Sequence, residues 1–176
     1  MLVSILASVA LATGAEAPKL LRFPDVHGDT IAFVYASDIW TADLSGGFAR
    51  RLTTHPGCET HPRFSPPGKW VAFMGPNGPG PPPSPFIPAE GGTPKRLTFE
   101  PKPFSVTGWT PDGKIVCASS YGSAFTPRLW LVDPNRGMLQ RTDLGEFTNG
   151  SYSPDGKQIA FNRNNSYAFN WRLYRG

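Results

Sequence analysis

Few residues in this sequence have the types and spacing that chemistry requires. His55, Cys58, Glu59 and His61 share one short stretch, and imidazole, thiolate and carboxylate are the ligands zinc takes. A closed zinc site needs a fourth well-placed ligand, and this stretch lies where one strand is connected to the next. It is expected to be a solvated loop, and no metal ligand is assigned. Ser65 and Ser153 are the hydroxyls to test for nucleophilic catalysis, which needs a neighbouring base and an orienting group. Each precedes a proline inside a repeated turn, and no Gly-x-Ser-x-Gly elbow occurs. No catalytic residue, cofactor or cofactor-binding residue is expected in this chain. Arg51, Arg96 and Arg141 recur at intervals of 45 residues. Repetition would set them along one rim as a partial ring able to attract peptide carboxylates. Charge guarding an exposed outer strand is the simpler reading, and the one preferred here. Cys58 and Cys117 could pair in an exported protein, but small buried fillers are the preferred reading of isolated cysteines in a β-protein.

That regular spacing points to the elements that must carry these residues. Ile31-Ala32-Phe33, Val71-Ala72-Phe73, Ile115-Val116-Cys117 and Ile159-Ala160-Phe161 follow one another at intervals of 40, 44 and 44 residues. A turn precedes each: His27-Gly28-Asp29, Ser65-Pro66-Pro67-Gly68-Lys69, Thr110-Pro111-Asp112-Gly113-Lys114 and Ser153-Pro154-Asp155-Gly156-Lys157. Proline presets φ early in such a turn, aspartate bonds nearby backbone, and glycine accepts positive φ, so each turn joins two strands of a hairpin. The incoming strands end on Phe64, Trp109 and Tyr152, which are expected to fill equivalent positions between repeats. Asp38 to Asp43 and Arg128 to Asp133 supply a third strand, begun again at Trp171 to Tyr174. Turns at Gly46-Gly47, Gly91-Gly92 and Arg136-Gly137 lead to a fourth strand at Arg51-Leu52-Thr53, Arg96-Leu97-Thr98 and Arg141-Thr142.

Four strands at this period make the blade of a β-propeller. The expected fold is all-β: an incomplete propeller of about three and a half four-stranded antiparallel blades. The blades fall at roughly 20–61, 62–105, 106–148 and 149–176, the last truncated, within a propeller region of 18–176. One blade is interrupted, because the proline run between Gly75 and Pro85 lacks the donors a ladder needs and is expected to form a surface loop.

Residues 1–17 differ in character: Leu2 to Thr13 is apolar or small, and Ala15-Glu16-Ala17 has the form of a signal-peptidase site. A cleaved leader and an exported, periplasmic location are expected, with the cytoplasm as the alternative. The apolar stretch is too short for a stable membrane anchor. Net charge is +4, but the 17 Lys and Arg are scattered rather than gathered into a stripe, so no nucleic-acid partner is expected.

The run Phe64-Ser65-Pro66-Pro67-Gly68-Lys69 resembles the repeat shared by TolB and the propellers of several serine peptidases. More specifically, Leu21-Arg22-Phe23-Pro24, Ile31-Ala32-Phe33, Asp38-Ile39-Trp40, Gly46-Gly47, Arg51-Leu52-Thr53-Thr54-His55-Pro56-Gly57 and Glu59 resemble, in that order, the opening of tricorn-type proteases. The resemblance implies a six-bladed parent propeller and a serine-histidine catalytic apparatus in later domains that have no counterpart here. It further implies a non-catalytic role in gating or binding peptides or unfolded polypeptide for proteolysis, within a large homo-oligomer. A TolB-like exported interaction propeller and the propeller of a prolyl-oligopeptidase-like hydrolase are the alternatives. Pro67 in place of aspartate, the proline run and the export-like start depart from the family pattern.

Overall fold

The computed structural model describes residues 20–75, 85–123 and 126–162. The expected leader, most of the proline run and the strand at Trp171 to Tyr174 lie outside the described residues. All regular structure described is strand. Blade one contains β1 (Arg22–His27), β2 (Thr30–Tyr35), β3 (Asp38–Asp43) and β4 (Arg50–Arg51). Blade two contains β5 (Thr60–Phe64), β6 (Trp70–Met74), β7 (Pro85–Pro88) and β8 (Lys95–Arg96). Blade three contains β9 (Ser105–Trp109), β10 (Ile115–Ser119), β11 (Arg128–Val132) and β12 (Leu139–Glu146), and β13 (Asn149–Tyr152) with β14 (Ile159–Asn162) begins a fourth. Each sheet is an antiparallel meander in chain order, and among the described residues the sheets follow one another without closing into a ring.

The repeated turns have a common construction. In each, a hydroxyl accepts the N–H that reopens the next strand: Ser65 Oγ from Trp70 at 3.0 Å, Thr110 Oγ1 from Lys114 at 2.9 Å and Ser153 Oγ from Gln158 at 3.0 Å. The same residue's carbonyl accepts the N–H of Gly68, Gly113 or Gly156, whose φ of +70°, +86° and +71° accounts for glycine there. Asp112 and Asp155 add a carboxylate that Thr110 and Ser153 hold below the usual range through their hydroxyls, a role Pro67 cannot fill.

The hydrophobic triplets explain how blades stack. Side chains alternate across a strand, so Val71 and Phe73 point back onto Ala32, Val34, Ile39 and Leu52 of blade one. Ala72 points forward, into the layer holding Ile115 and Cys117 of blade three. Val116 and Ala118 in turn pack with Ile159 and Phe161. In blades two and three the outer members of the triplet therefore serve the preceding blade, and the middle one serves the next. Full burial of side chains such as Phe73 or Ile87 contributes about 1.5–3 kcal/mol each. Phe104 and Phe147 fill the strand connections between blades two and three and between blades three and four; the corresponding place between blades one and two holds Glu59. Arg50 clamps that first junction from outside, donating to the carbonyls of Glu90 and Ala89 at 2.7 Å each.

Candidate functional site

The first strands of the four blades, β1, β5, β9 and β13, neighbour one another in series. Together with the near end of β14 they wall a groove of about 760 Å³, lined among others by Asp25, His27, Arg63, Thr107, Ser151 and Asn162. In a propeller this is the position of the central channel.

Two of these strands are shaped by an unusual pair of residues. Phe23 and His61 both precede a proline, both sit at a break in ladder register, and both have positive φ, 52° and 54°. Their rings stack with centroids 3.9 Å apart, which offsets part of the strain of a left-handed backbone. Burial, then Arg63, pushes the His61 imidazole below its ordinary range. The next charged residues, Asp25 and Arg63, line the groove in equivalent positions of their blades.

These side chains lace neighbouring blades together. Asp25 Oδ2 accepts the Phe64 N–H at 2.7 Å, and Arg63 Nη1 lies 3.8 Å from Asp25 Oδ1. Arg63 Nε reaches the Thr107 carbonyl at 3.2 Å, and Trp109 Nε1 reaches back to the Arg63 carbonyl at 2.9 Å. Burial lifts the Asp25 carboxyl above the usual carboxylate range, opposed by the Phe64 N–H, Arg63 and His27. Trp109 thus joins blades two and three at the place where Phe64 joins blades one and two and Tyr152 joins blades three and four, as the aromatic positions in the sequence led one to expect. The reaching charges were not anticipated, although Phe23-Pro24-Asp25 and His61-Pro62-Arg63 carry the signal as a repeated aromatic-proline-charge triplet.

Of the residues singled out by type, Ser65 lines the groove and His61 stands on β5; the others lie elsewhere. Arg51 and Arg96 stand on β4 and β8, the outermost strands, away from the groove, and Arg141 is exposed on β12. Arg51 Nε donates to the Thr53 carbonyl at 3.0 Å and Arg96 Nε to the Thr98 carbonyl at 2.7 Å, so each tethers the end of its own blade. Ser65 and Ser153 are spent on the turns. Cys117 is fully buried, and burial pushes its thiol up; Cys58 is exposed and therefore no buried filler.

The stretch expected to be solvated is so only in part. His55 is exposed and accepts the Gly57 N–H, but Glu59 is 3% exposed and bonded to the Thr53 hydroxyl. Asp38, 4% exposed, pairs with Arg51 at 2.7 Å, and its other oxygen has no hydrogen-bond partner among the described residues. Burial, then the Asp38 charge, lifts the Glu59 carboxyl, while Thr53, His55 and Arg51 oppose the rise. Two acids in one junction are a structural polar network, invisible to the sequence because Asp38 and Glu59 meet only when β3 and β5 are brought together.

Stacked four-stranded blades around a groove of inner strands define a β-propeller module. Residues 18–176 match the Tricorn protease N-terminal beta propeller domain, and the chain belongs to that family. It is 34% identical over 175 residues to tricorn protease homolog 1 of Streptomyces coelicolor, covering 93% of this chain and 16% of that protein's length. Against the crystal structure of the tricorn protease the TM-score is 0.70 at 29% identity, covering 79% of this chain and 15% of the other. A TolB-type protein from Agrobacterium tumefaciens superposes with a TM-score of 0.71 at 22% identity over 85% of this chain and 56% of the other, a likeness of fold alone.

Proposed function

We propose that this propeller is a non-catalytic module that admits peptides or unfolded polypeptide to a tricorn-like serine peptidase, with the inner-strand groove as the path. The observation that carries the reading is the groove itself, about 760 Å³ in volume and walled by the same strand of successive blades. Family membership supplies the proteolytic context. Ser151 lines the groove and is exposed, so replacing it obstructs the path without disturbing a core. Ser151→Trp should weaken binding of a fluorescent unfolded polypeptide by about tenfold, the scale of one well-placed contact. Arg141→Trp, on the outer strand, should leave binding unchanged. Weakening by the rim substitution alone would remove the groove from the account.

A second reading, an exported interaction propeller without a peptidase, draws on the likeness to the TolB-type fold. It places a folded protein partner on the blade ends, so in that case Ser151→Trp would leave the partner's affinity unaltered. An exported location and a homo-oligomeric parent belong to these proposals; fractionation of the native host and light scattering of the parent would test them.

A further inference from the structure

An inner strand of a propeller presents an unpaired edge to the channel, and an unpaired edge is a template on which an extended chain adds as a further strand. On β5 and β9 main-chain groups are already engaged by side chains. The Phe64 N–H is held by Asp25 at 2.7 Å, and the Pro62 carbonyl by Arg63 Nη1 at 3.1 Å. The Arg63 carbonyl is held by Trp109 Nε1 at 2.9 Å, and the Thr107 carbonyl by Arg63 Nε at 3.2 Å. Three of these four bonds cross from one blade to the next, and all of the residues but Pro62 line the groove.

We propose that Asp25 and Arg63 are edge guards: they occupy main-chain groups of the inner strands so that a traversing extended polypeptide slides past instead of pairing. The inference rests on the reading of the groove as a polypeptide path, and it specifies the kind of passage. The partner is an extended chain with its own N–H and C=O groups free, engaged weakly and without regard to side-chain sequence. Because Asp25 and Arg63 face one another, the wall offers little net charge, and binding changes little with ionic strength.

The test uses an end-capped peptide of alternating Thr and Val, labelled with fluorescein, and fluorescence anisotropy with the purified chain. Asp25→Ala uncovers the Phe64 N–H and should tighten binding about threefold to tenfold, the worth of one hydrogen bond, mainly by slowing dissociation. Asp25→Asn keeps an acceptor and should behave as the parent. Arg63→Met uncovers the Thr107 and Pro62 carbonyls by a separate route and should also tighten binding, which preserves the test if Asp25→Ala does not fold. Binding no tighter in the folded uncovering variants would overturn the guard, even with Ser151→Trp weakening the parent. Equal binding by the parent and Ser151→Trp would instead remove the path, and the guard with it.

Discussion

Gly68 offers the sharpest test of how the blades are seated. A Cβ at this position would lie 2.2 Å from His27 Cδ2 and 2.5 Å from Nε2, across the junction between blades one and two. Its φ of +70° already costs any other residue about 1 kcal/mol or somewhat more. In Gly68→Ala the imidazole must also move, giving up its contact with Phe64, whose ring centroid is 6.0 Å away, at about 0.5–1.5 kcal/mol. The expected loss is roughly 2–3 kcal/mol, or a fall in Tm of about 5–10 °C for a chain of this size. Gly113 is the control: it has φ of +86° in the equivalent turn, with nothing within 4 Å of a built Cβ, so Gly113→Ala carries the backbone term alone. Urea unfolding followed by tryptophan fluorescence would measure both. The pair His27→Ala and Gly68→Ala should show coupling, because removing the ring relieves the clash. If Gly68→Ala and Gly113→Ala agree within about 0.5 kcal/mol, and His27→Ala rescues nothing, the contact between the two turns is not as described.

Glu59 sets a pH dependence whose sign follows from burial. Its folded carboxyl is lifted above the unfolded value near 4.3, so the neutral form is favoured by folding. That contribution is complete below the unfolded value and is lost as pH rises through the folded one. Glu59→Gln should therefore gain stability relative to the parent as pH rises above the unfolded value near 4.3, read from urea midpoints; a difference constant with pH would contradict this. The two thiols should separate cleanly. Ellman's reagent should titrate exposed Cys58 in the native protein and buried Cys117 only after unfolding, whereas a protein in which both need a reductant first would contain a disulfide instead.

The blade was legible because its signals are local. Ser65 to Gly68, Thr110 to Gly113 and Ser153 to Gly156 each close their turn with atoms only a few residues apart, and the triplet beginning at Ile31, Val71, Ile115 or Ile159 carries its own period of two. The fourth strand was less well drawn: β4 and β8 are two-residue strands ending at Arg51 and Arg96, and Leu52 and Leu97 turn inward immediately after them. The wall of the groove was not legible. Asp25, Arg63 and Trp109 are some 40 residues apart in pairs, and only the stacking of successive blades makes them neighbours. Glu59 shows the same limit, since its type suggested solvent and its place, shared with Phe104 and Phe147 in the other junctions, is interior. Residue types near one another in the chain, such as His55, Cys58 and His61, proved a poor guide, because the first two lie in the exposed connection before β5 while His61 sits in the register break of that strand.

The most direct test of the central claim is photo-crosslinking of an unfolded polypeptide to the protein with a photoreactive side chain placed in turn at Thr107, at Ser151 and at Arg141. Crosslinks are expected from the first two positions, which line the groove, and none from the third, on the outer strand. Crosslinks confined to Arg141, or equal at all three, would contradict a path through the inner strands.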